Sequence, residues 1–170
     1  MTTSVPAGRI RPAVRTHSAE ETRDLAAHLA SVARPGDRIA LVGPLGAGKT
    51  QFAKGFARGL GVTEVVNSPS FTLMAEYDGR LPLFHQDLYR LSGTEEIMEG
   101  GLIDERQLDG VTLSEWGDRL SDELDPARVT VSIEVVADDE RRITITPAGT
   151  ARNGYVEAAE TWTPETRDVH

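Results

Sequence analysis

Gly43-Pro44-Leu45-Gly46-Ala47-Gly48-Lys49-Thr50 constrains this chain more than any other stretch. The eight residues fit G-x-x-x-x-G-K-[ST], a spacing that works where a strand feeds a tight loop and the loop feeds a helix. Glycine reaches backbone conformations that side chains forbid, so successive N–H groups turn inward toward an anion. Lys49 adds a point charge for the outer phosphates, and the Thr50 hydroxyl can hold a magnesium ion. A glycine-rich turn that fits by chance is the competing explanation, and the flanks argue against it. Arg38-Ile39-Ala40-Leu41-Val42 reads as a short apolar strand running into the loop. Gln51 to Leu60 reads as a helix, with Phe52, Phe56 and Leu60 at helical spacing and Gly61 at its stop. The helix N-terminus then lies under the phosphates with its partial positive charge. The residues expected to touch nucleotide are Gly43, Leu45, Gly46, Ala47, Gly48, Lys49, Thr50 and Gln51.

A chain of 170 residues suffices for one domain with a core. It has no cysteine, so disulfides and thiolate metal sites are excluded. No stretch is apolar enough to cross a membrane, and the N-terminus lacks the apolar run of a signal peptide, so the expected location is the cytoplasm. The net charge of −9 is unevenly placed. Residues 90–125 hold eleven Asp and Glu against three Lys and Arg, whereas residues 1–89 hold eight against ten. The acidic segment reads first as a solvated face and second as a docking surface for a basic partner. An acidic chain binds nucleic acid poorly by itself, because phosphate contacts supply most of that affinity, so any RNA is expected to be held by another subunit. Only Lys49 and Lys54 are lysines, against sixteen arginines, which makes a lysine at the loop position slightly more telling.

Residues 1–11 read as a flexible arm, residues 12–147 as the folded domain, and residues 148–170, polar and aperiodic, as a disordered tail. Pro12 to Thr16 suits a first strand. Ser18-Ala19-Glu20-Glu21 is a capping box that opens a helix to about Val32, with Leu25, Leu29 and Val32 as its buried stripe. Val62 to Val66 suits the end of a strand. Phe71 to Tyr77 and Leu81 to Leu88 form a hairpin around Asp78-Gly79. Residues 94–100 suit a short helix, Val111 to Ser114 a strand, and Asp118 to Leu124 a helix. Val129 to Val136 and Arg141 to Thr146 are β-patterned around a turn at 137–140. The fold class expected is α/β: a single P-loop NTPase-like domain with a mixed central sheet, an antiparallel hairpin, and helices packed around it.

A P-loop site also needs an acidic residue near the magnesium at a strand end. Asp87, which closes Pro82 to Gln86, is the candidate, and ligands sit at strand carboxyl ends in such sheets. Something must orient or deprotonate water for hydrolysis. Glu115 emerges after the strand at 111–114, and position alone balances it evenly against an ordinary surface glutamate. Ser68-Pro69-Ser70-Phe71 lies where nucleotide switches place the loop that senses the terminal phosphate, with hydroxyls at Ser68, Ser70 and Thr72; a plain Ser-Pro turn explains it equally well. Arg90 is a candidate charge stabiliser or a structural ion pair. Trp116 reads as a packing residue and His85 as structural.

The ordered set Gly43–Thr50, Ser68-Pro69-Ser70-Phe71-Thr72-Leu73, Glu76-Tyr77, His85-Gln86-Asp87-Leu88-Tyr89-Arg90-Leu91 and Glu115-Trp116 resembles the bacterial TsaE family, also called YjeE. The likeness covers about residues 16–146 and rests above all on His-x-Asp-x-Tyr-Arg and Glu-Trp after a P-loop. It implies an ATPase that joins TsaD- and TsaB-like partners in transferring threonylcarbamoyl to the adenosine beside the tRNA anticodon, with hydrolysis resetting the complex between rounds. It implies ATP and Mg2+ as cofactors and contact with tRNA only through the complex. By this likeness Lys49, Asp87 and Glu115 are catalytic, and Thr50, Asp87 and Glu115 serve the metal, with Glu115 either metal-linked or catalytic. Residues 68–72 match the family's switch loop. The chain departs from the family at Pro44, usually acidic or Asn, at Ser70, usually Thr, and at Gln86, usually aromatic.

Two other readings compete. A small-molecule kinase of the shikimate kinase type also carries Gly-Pro-x-Gly-Ala-Gly-Lys. Such an enzyme needs an acidic base, an arginine-bearing lid and a substrate arginine cluster. Here no Asp-x-Asp follows the P-loop helix, Gly100-Gly101 lacks a third glycine, and the segment where a lid would lie is acidic. A non-hydrolysing nucleotide sensor is the second alternative. The Asn-Lys-x-Asp guanine signature is absent, which disfavours GTP.

Overall fold

The computed structural model describes residues 13–69, 72–91, 94–99, 101–121 and 123–164. The arm expected at residues 1–11 lies outside them. Strand β1 (Ala13–Thr16) leads into helix α1 (Ala19–Ala30). The capping box forms at that junction: Ser18 Oγ accepts from the Glu21 N–H at 3.0 Å. The Glu21 carboxylate reaches one residue further back than the usual pattern, to the His17 N–H at 2.7 Å. Next come β2 (Arg38–Val42), α2 (Lys49–Gly59), β3 (Met74–Tyr77), β4 (Leu83–Asp87), α3 (Thr94–Glu99), β5 (Val111–Glu115), β6 (Val129–Val135), β7 (Arg141–Pro147) and α4 (Gly154–Thr161).

The strands form one seven-stranded mixed sheet in the order β1-β7-β6-β2-β5-β4-β3. The central four, β6, β2, β5 and β4, are parallel; β3 and β7 flank them antiparallel, and the edge strand β1 pairs antiparallel with β7, so it runs in the direction of the central four. The chain is thus a single α/β domain, as the sequence leads one to expect. Side chains alternate across the sheet. Ile39, Leu41, Leu83, Val111 and Leu113 join the main core with α1 and α2. Contact between those two helices depends on Gly55 and Gly59, one turn apart on α2. A Cβ at Gly55 would stand 2.1 Å from the Arg23 carbonyl oxygen, and one at Gly59 2.5 Å from that of Ala27.

Phe84, Gln86, Thr112 and Ser114 alternate onto the opposite face. Leu88 and three residues of the acidic segment, Leu91, Leu102 and Leu120, form a second apolar cluster over that face. Gln86, buried beside Asp87, donates to the Leu102 carbonyl and accepts from Ser114 Oγ at 3.0 Å. Of the segment's charges Glu115 and Asp125 are buried, whereas Glu95, Glu96, Glu105, Asp109, Asp118 and Glu123 are exposed. That is the solvated face, carried by a layer whose other side is core.

Three sequence expectations fail. Val62 to Val66 forms no strand: Val62 ends the turn after α2, its N–H bonding the Ala57 carbonyl, and Val62 and Val66 are buried while Val65 is exposed. Among the described residues of Asp118 to Leu124 no α-helix forms; a 3-10 turn, Gly117–Arg119, follows β5, and the Leu124 and Asp125 N–H groups close onto the Ser121 carbonyl. The third is the disordered tail from residue 148. Within it α4 packs on α1 and β7 and buries Tyr155, Val156, Ala158, Ala159 and Trp162 in the main core. Tyr155 OH donates to Asp37 Oδ2 at 2.6 Å and Arg152 donates to the same oxygen at 2.8 Å, which ties the segment to the start of β2. The large rings provide the burial that short, alanine-rich α4 lacks, each contributing about 1.5–3 kcal/mol.

Candidate functional site

Because β2, β5 and β4 are adjacent and parallel, the residues that follow them meet at one edge of the sheet. Chain order puts Gly43–Gly48 after β2, Glu115 at the end of β5 and Asp87 at the end of β4, directly opposite Glu115 in register. Alternation completes the convergence. Leu83, His85 and Asp87 share one face of β4; Val111, Leu113 and Glu115 share the same face of β5; and α2 lies on that face.

The loop is shaped by contacts on both sides. Gly46 and Gly48 have φ of +79° and +112°, the left-handed region where only glycine is unstrained. A Cβ at Gly43 would stand 2.6 Å from the Ile133 carbonyl oxygen, so the loop's first residue must be bare to pass β6. Arg141, at the start of β7, donates to the carbonyls of Ala47 at 2.8 Å and Gly46 at 3.3 Å. In a trans peptide the N–H points opposite to its carbonyl, so the Gly48 N–H is turned away from Arg141. The Ala47 N–H closes onto the Pro44 carbonyl at 3.1 Å; Pro44 serves as an acceptor and its missing N–H costs nothing. Helix α2 begins at Lys49 with Gly48 as its cap and with no side chain bonded to its first amides. Uncapped amides at a helix N-terminus are suited to an anion.

Lys49 is 5% exposed. Its Nζ donates to the carbonyls of Gly43 at 2.6 Å and Pro44 at 2.8 Å, and lies 4.0 Å from the centroid of the Trp116 ring. Burial holds its pKa below the ordinary lysine value, opposed by the nearby charges of Glu115, Asp87 and Asp118. Thr50, on the first turn of α2, donates from Oγ1 to Glu115 Oε1 at 3.1 Å and Oε2 at 3.3 Å. His85 Nε2 is 2.7 Å from Glu115 Oε2. Asp87 accepts from Ser68 Oγ at 2.5 Å and from the Tyr89 N–H at 3.0 Å.

The fully buried His85 aside, Lys49, Thr50, Asp87 and Glu115 line one cleft of about 440 Å³. Leu45, Gly46, Gly48, Lys49, Thr50 and Gln51 form its loop and helix side, and Ser68, Asp87, Tyr89, Glu115 and Trp116 its strand-end side. Leu45 is 71% exposed at the rim; Gln51 is held by Arg23 at 2.5 Å. Of the proposed switch hydroxyls, Ser68 joins the cleft, Thr72 is exposed, and Ser70 lies outside the described residues. Arg90 is exposed beyond Tyr89 and is not among the residues lining the cleft. Among the described residues no three His, Asp or Glu converge into an all-protein metal cage. A hydroxyl with two carboxylates instead suits magnesium, which keeps several waters and shares its shell with phosphate. A smaller hollow of about 140 Å³ lies behind the loop, between Ser18, Thr22, Gly48, Gln51, Asp138 and Arg141.

Three residues of this site were not assigned to it from sequence. Arg141 sits in a β pattern next to Arg142, and nothing local distinguishes the two. Trp116 adopts φ +59°, costing about 1–2 kcal/mol for a residue with a Cβ. The cause is the next residue: a Cβ at Gly117 would stand 2.4 Å from that of Ala40, so the chain turns hard against β2 and swings the indole over Lys49. Tyr89 packs on that indole at 4.9 Å between ring centroids. The glycine after Trp116 was the available signal. His85 is the third, and its partner is visible only in the folded sheet.

Comparison with known proteins bears on most of the chain. The family model described as threonylcarbamoyl adenosine biosynthesis protein TsaE matches residues 16–143. The tRNA threonylcarbamoyladenosine biosynthesis protein TsaE of Bacillus subtilis (strain 168) is 47% identical over 136 residues, covering 79% of this chain and 85% of that protein. The protein of the same description from Treponema pallidum (strain Nichols) is 42% identical, covering 76% and 96%. A crystal structure of Bacillus subtilis YdiB superposes with a TM-score of 0.69 at 40% identity, covering 94% of this chain and 97% of that one.

Proposed function

This chain belongs to the TsaE family of threonylcarbamoyl adenosine biosynthesis proteins, and from that premise we propose that it is a magnesium-dependent ATPase acting in threonylcarbamoyl modification of the adenosine beside the tRNA anticodon. The observation that carries the reading is the meeting of Thr50 with Glu115. The hydroxyl of the phosphate loop and the carboxylate of a neighbouring strand end are within 3.3 Å of each other, with Lys49 and Asp87 lining the same cleft. The uncapped start of α2 and Lys49 bind the phosphates. Thr50 and Asp87 hold the magnesium, which neutralises charge that builds on the phosphates. Glu115 completes the metal's surroundings or orients the attacking water. The hollow beside Ser18 and Thr22, next to the loop, takes the adenine.

The partners are TsaD- and TsaB-like proteins. With −9 net charge this chain leaves RNA to them and meets tRNA only through the complex. No helix among the described residues is long and apolar enough to cross a membrane, and we assign the chain to the cytoplasm. Lys49 is the cation whose ammonium lies in the cleft; Arg119 stands behind the aromatic pair, 5.9 Å from each ring, and donates to the Leu91 carbonyl. A P-loop site short of charge stabilisers turns over slowly until a partner supplies more. Hydrolysis therefore resets the assembled complex and is weak in the isolated chain.

The test is phosphate release from ATP, measured on the chain alone and with both partners. The expected result is slow release alone and a marked increase in the complex. Release only with a small hydroxylated acceptor would identify a kinase instead. No release under any condition would leave a nucleotide sensor.

A further inference from the structure

We propose that His85 is a positioning residue that holds the Glu115 carboxylate on the threonine side of the cleft, away from Lys49. The inference rests on the ATPase reading above. His85 lies inside β4 and is fully buried. Its Nε2 meets Glu115 Oε2 at 2.7 Å, while its Nδ1 is buried with no partner. A carboxylate only accepts, so Nε2 is the donor in this contact. The flanking neighbours of His85 on the same face are Leu83 before it, Leu113 opposite and Asp87 after it, and a half-satisfied imidazole is a costly choice beside two leucines. An apolar side chain would fill that position without loss of hydrogen bonding, unless the Nε2 contact itself is what the position supplies.

Two groups compete for Glu115. One is the Thr50 hydroxyl, at 3.1 and 3.3 Å from its two oxygens. The other is the ammonium of Lys49, for which Glu115 is the strongest charged neighbour. A closed Lys49–Glu115 ion pair would remove the cation meant for phosphate and the carboxylate meant for the metal side in one step. Lys49 is kept on the carbonyls of Gly43 and Pro44, and His85 keeps the carboxylate on Thr50. Second partners of this kind orient metal-side ligands elsewhere, and losing one typically lowers activity or metal affinity about 10–100-fold.

The experiment compares His85→Leu, His85→Gln and His85→Asn in the complete complex. His85→Leu is expected to lower kcat about 10–100-fold and raise the magnesium concentration for half-maximal rate, with ATP affinity in the absence of magnesium within about 2-fold of wild type. The Gln amide nitrogen reaches the Nε2 position and should restore kcat to within about 5-fold; the Asn amide stops near the Nδ1 position and should behave like Leu. Gln and Asn differ in reach and not in chemistry, so this pair carries the test if the Leu variant does not fold. On a Glu115→Ala background the difference between Gln and Asn should vanish. Equal kcat and equal magnesium dependence for the two variants would overturn the role of His85 while leaving the ATPase reading intact. Unchanged turnover in Glu115→Ala alone would overturn both.

Discussion

The two ends of the parallel strands carry similar chemistry and use it differently. At the amino end, Arg38 of β2 donates to Asp125, just ahead of β6, at 2.6 Å, and to Gln107, just ahead of β5, at 2.5 Å. Beside it Asp37 accepts from Tyr155 and Arg152. At the carboxyl end, Lys49, Thr50, Glu115 and Asp87 are brought equally close. Both ends bury charge: Asp125 is 1% exposed and Glu115 3%. At the amino end each cation donates to a fixed acceptor, Arg38 to Asp125 and Gln107, and Arg152 to Asp37. Among the described residues the hollow of about 640 Å³ beside Arg152 is lined by no carboxylate but that of Glu157. The carboxyl end opens on a cleft whose helix amides have no cap. Buried charge alone therefore does not mark a site in this fold. Buried carboxylates beside a lysine and an uncapped helix N-terminus do.

If that contrast is right, substitutions at the amino end should cost stability and spare nucleotide, and those at the carboxyl end should do the reverse. The largest effect is expected for Asp125→Ala, which strands the mostly buried Arg38 and should cost about 3–5 kcal/mol by chemical denaturation, with ATP affinity of the folded fraction unchanged. Arg38 Nη2 and Asp125 Oδ2 have no hydrogen-bond partner. Replacing the pair together, as Arg38→Met with Asp125→Leu, should accordingly cost less than the single change. A double variant worse than Asp125→Ala would show that the pair is optimised and not merely compensated. Lys49→Ala should lower turnover at least about 100-fold, close to 2.7 kcal/mol of transition-state stabilisation, without lowering the melting temperature. Normal kinetics in that variant would break the carboxyl-end half of the contrast.

Smaller effects sharpen it. Tyr155→Phe removes the hydroxyl that bonds Asp37 and should cost about 1 kcal/mol, measured by denaturation, with no change in kcat. The smallest is a pH effect at Lys49. Its folded pKa lies below the unfolded value near 10.5, because burial disfavours the charged form. Between those two values the unfolded chain binds more protons, so Lys49's contribution to stability improves as pH rises through that window. Phosphate favours the charged lysine, so nucleotide affinity should fall over the same window while the empty protein gains stability. Lys49→Met should flatten both trends, and a titration of ATP affinity from neutral to alkaline pH checks it.

Local patterns reached far in this chain. The strand, loop and helix around Gly43–Thr50, the Ser18 cap, the hairpin ending at Asp87 and the strand ending at Glu115 were all legible, because each is written in consecutive residues with a fixed period or spacing. The misses share a cause. Tyr155, Ala158, Ala159 and Trp162 stand at helical spacing, yet a helix of this length gains its stability from burial against α1 and β7, which no local window contains. The same holds for Gly55 and Gly59, whose purpose is the closeness of α1. Asp118 to Leu124 failed in the other direction: a helix-compatible stretch is held irregular by what it must cover.

The sequence by itself determined which chemistry the chain possesses and that one strand end would carry it, since a phosphate loop is a local object built from glycine freedom and one lysine. Only the tertiary structure decided which groups share that place. The strand order set Glu115 beside Thr50, the register set Asp87 opposite Glu115, and the alternation of β4 turned His85 toward them both. Crowding of Gly117 against Ala40 laid Trp116 over Lys49. Those are contacts between residues 28–77 apart in the chain, and their energies arise only when packing has already brought the strands together.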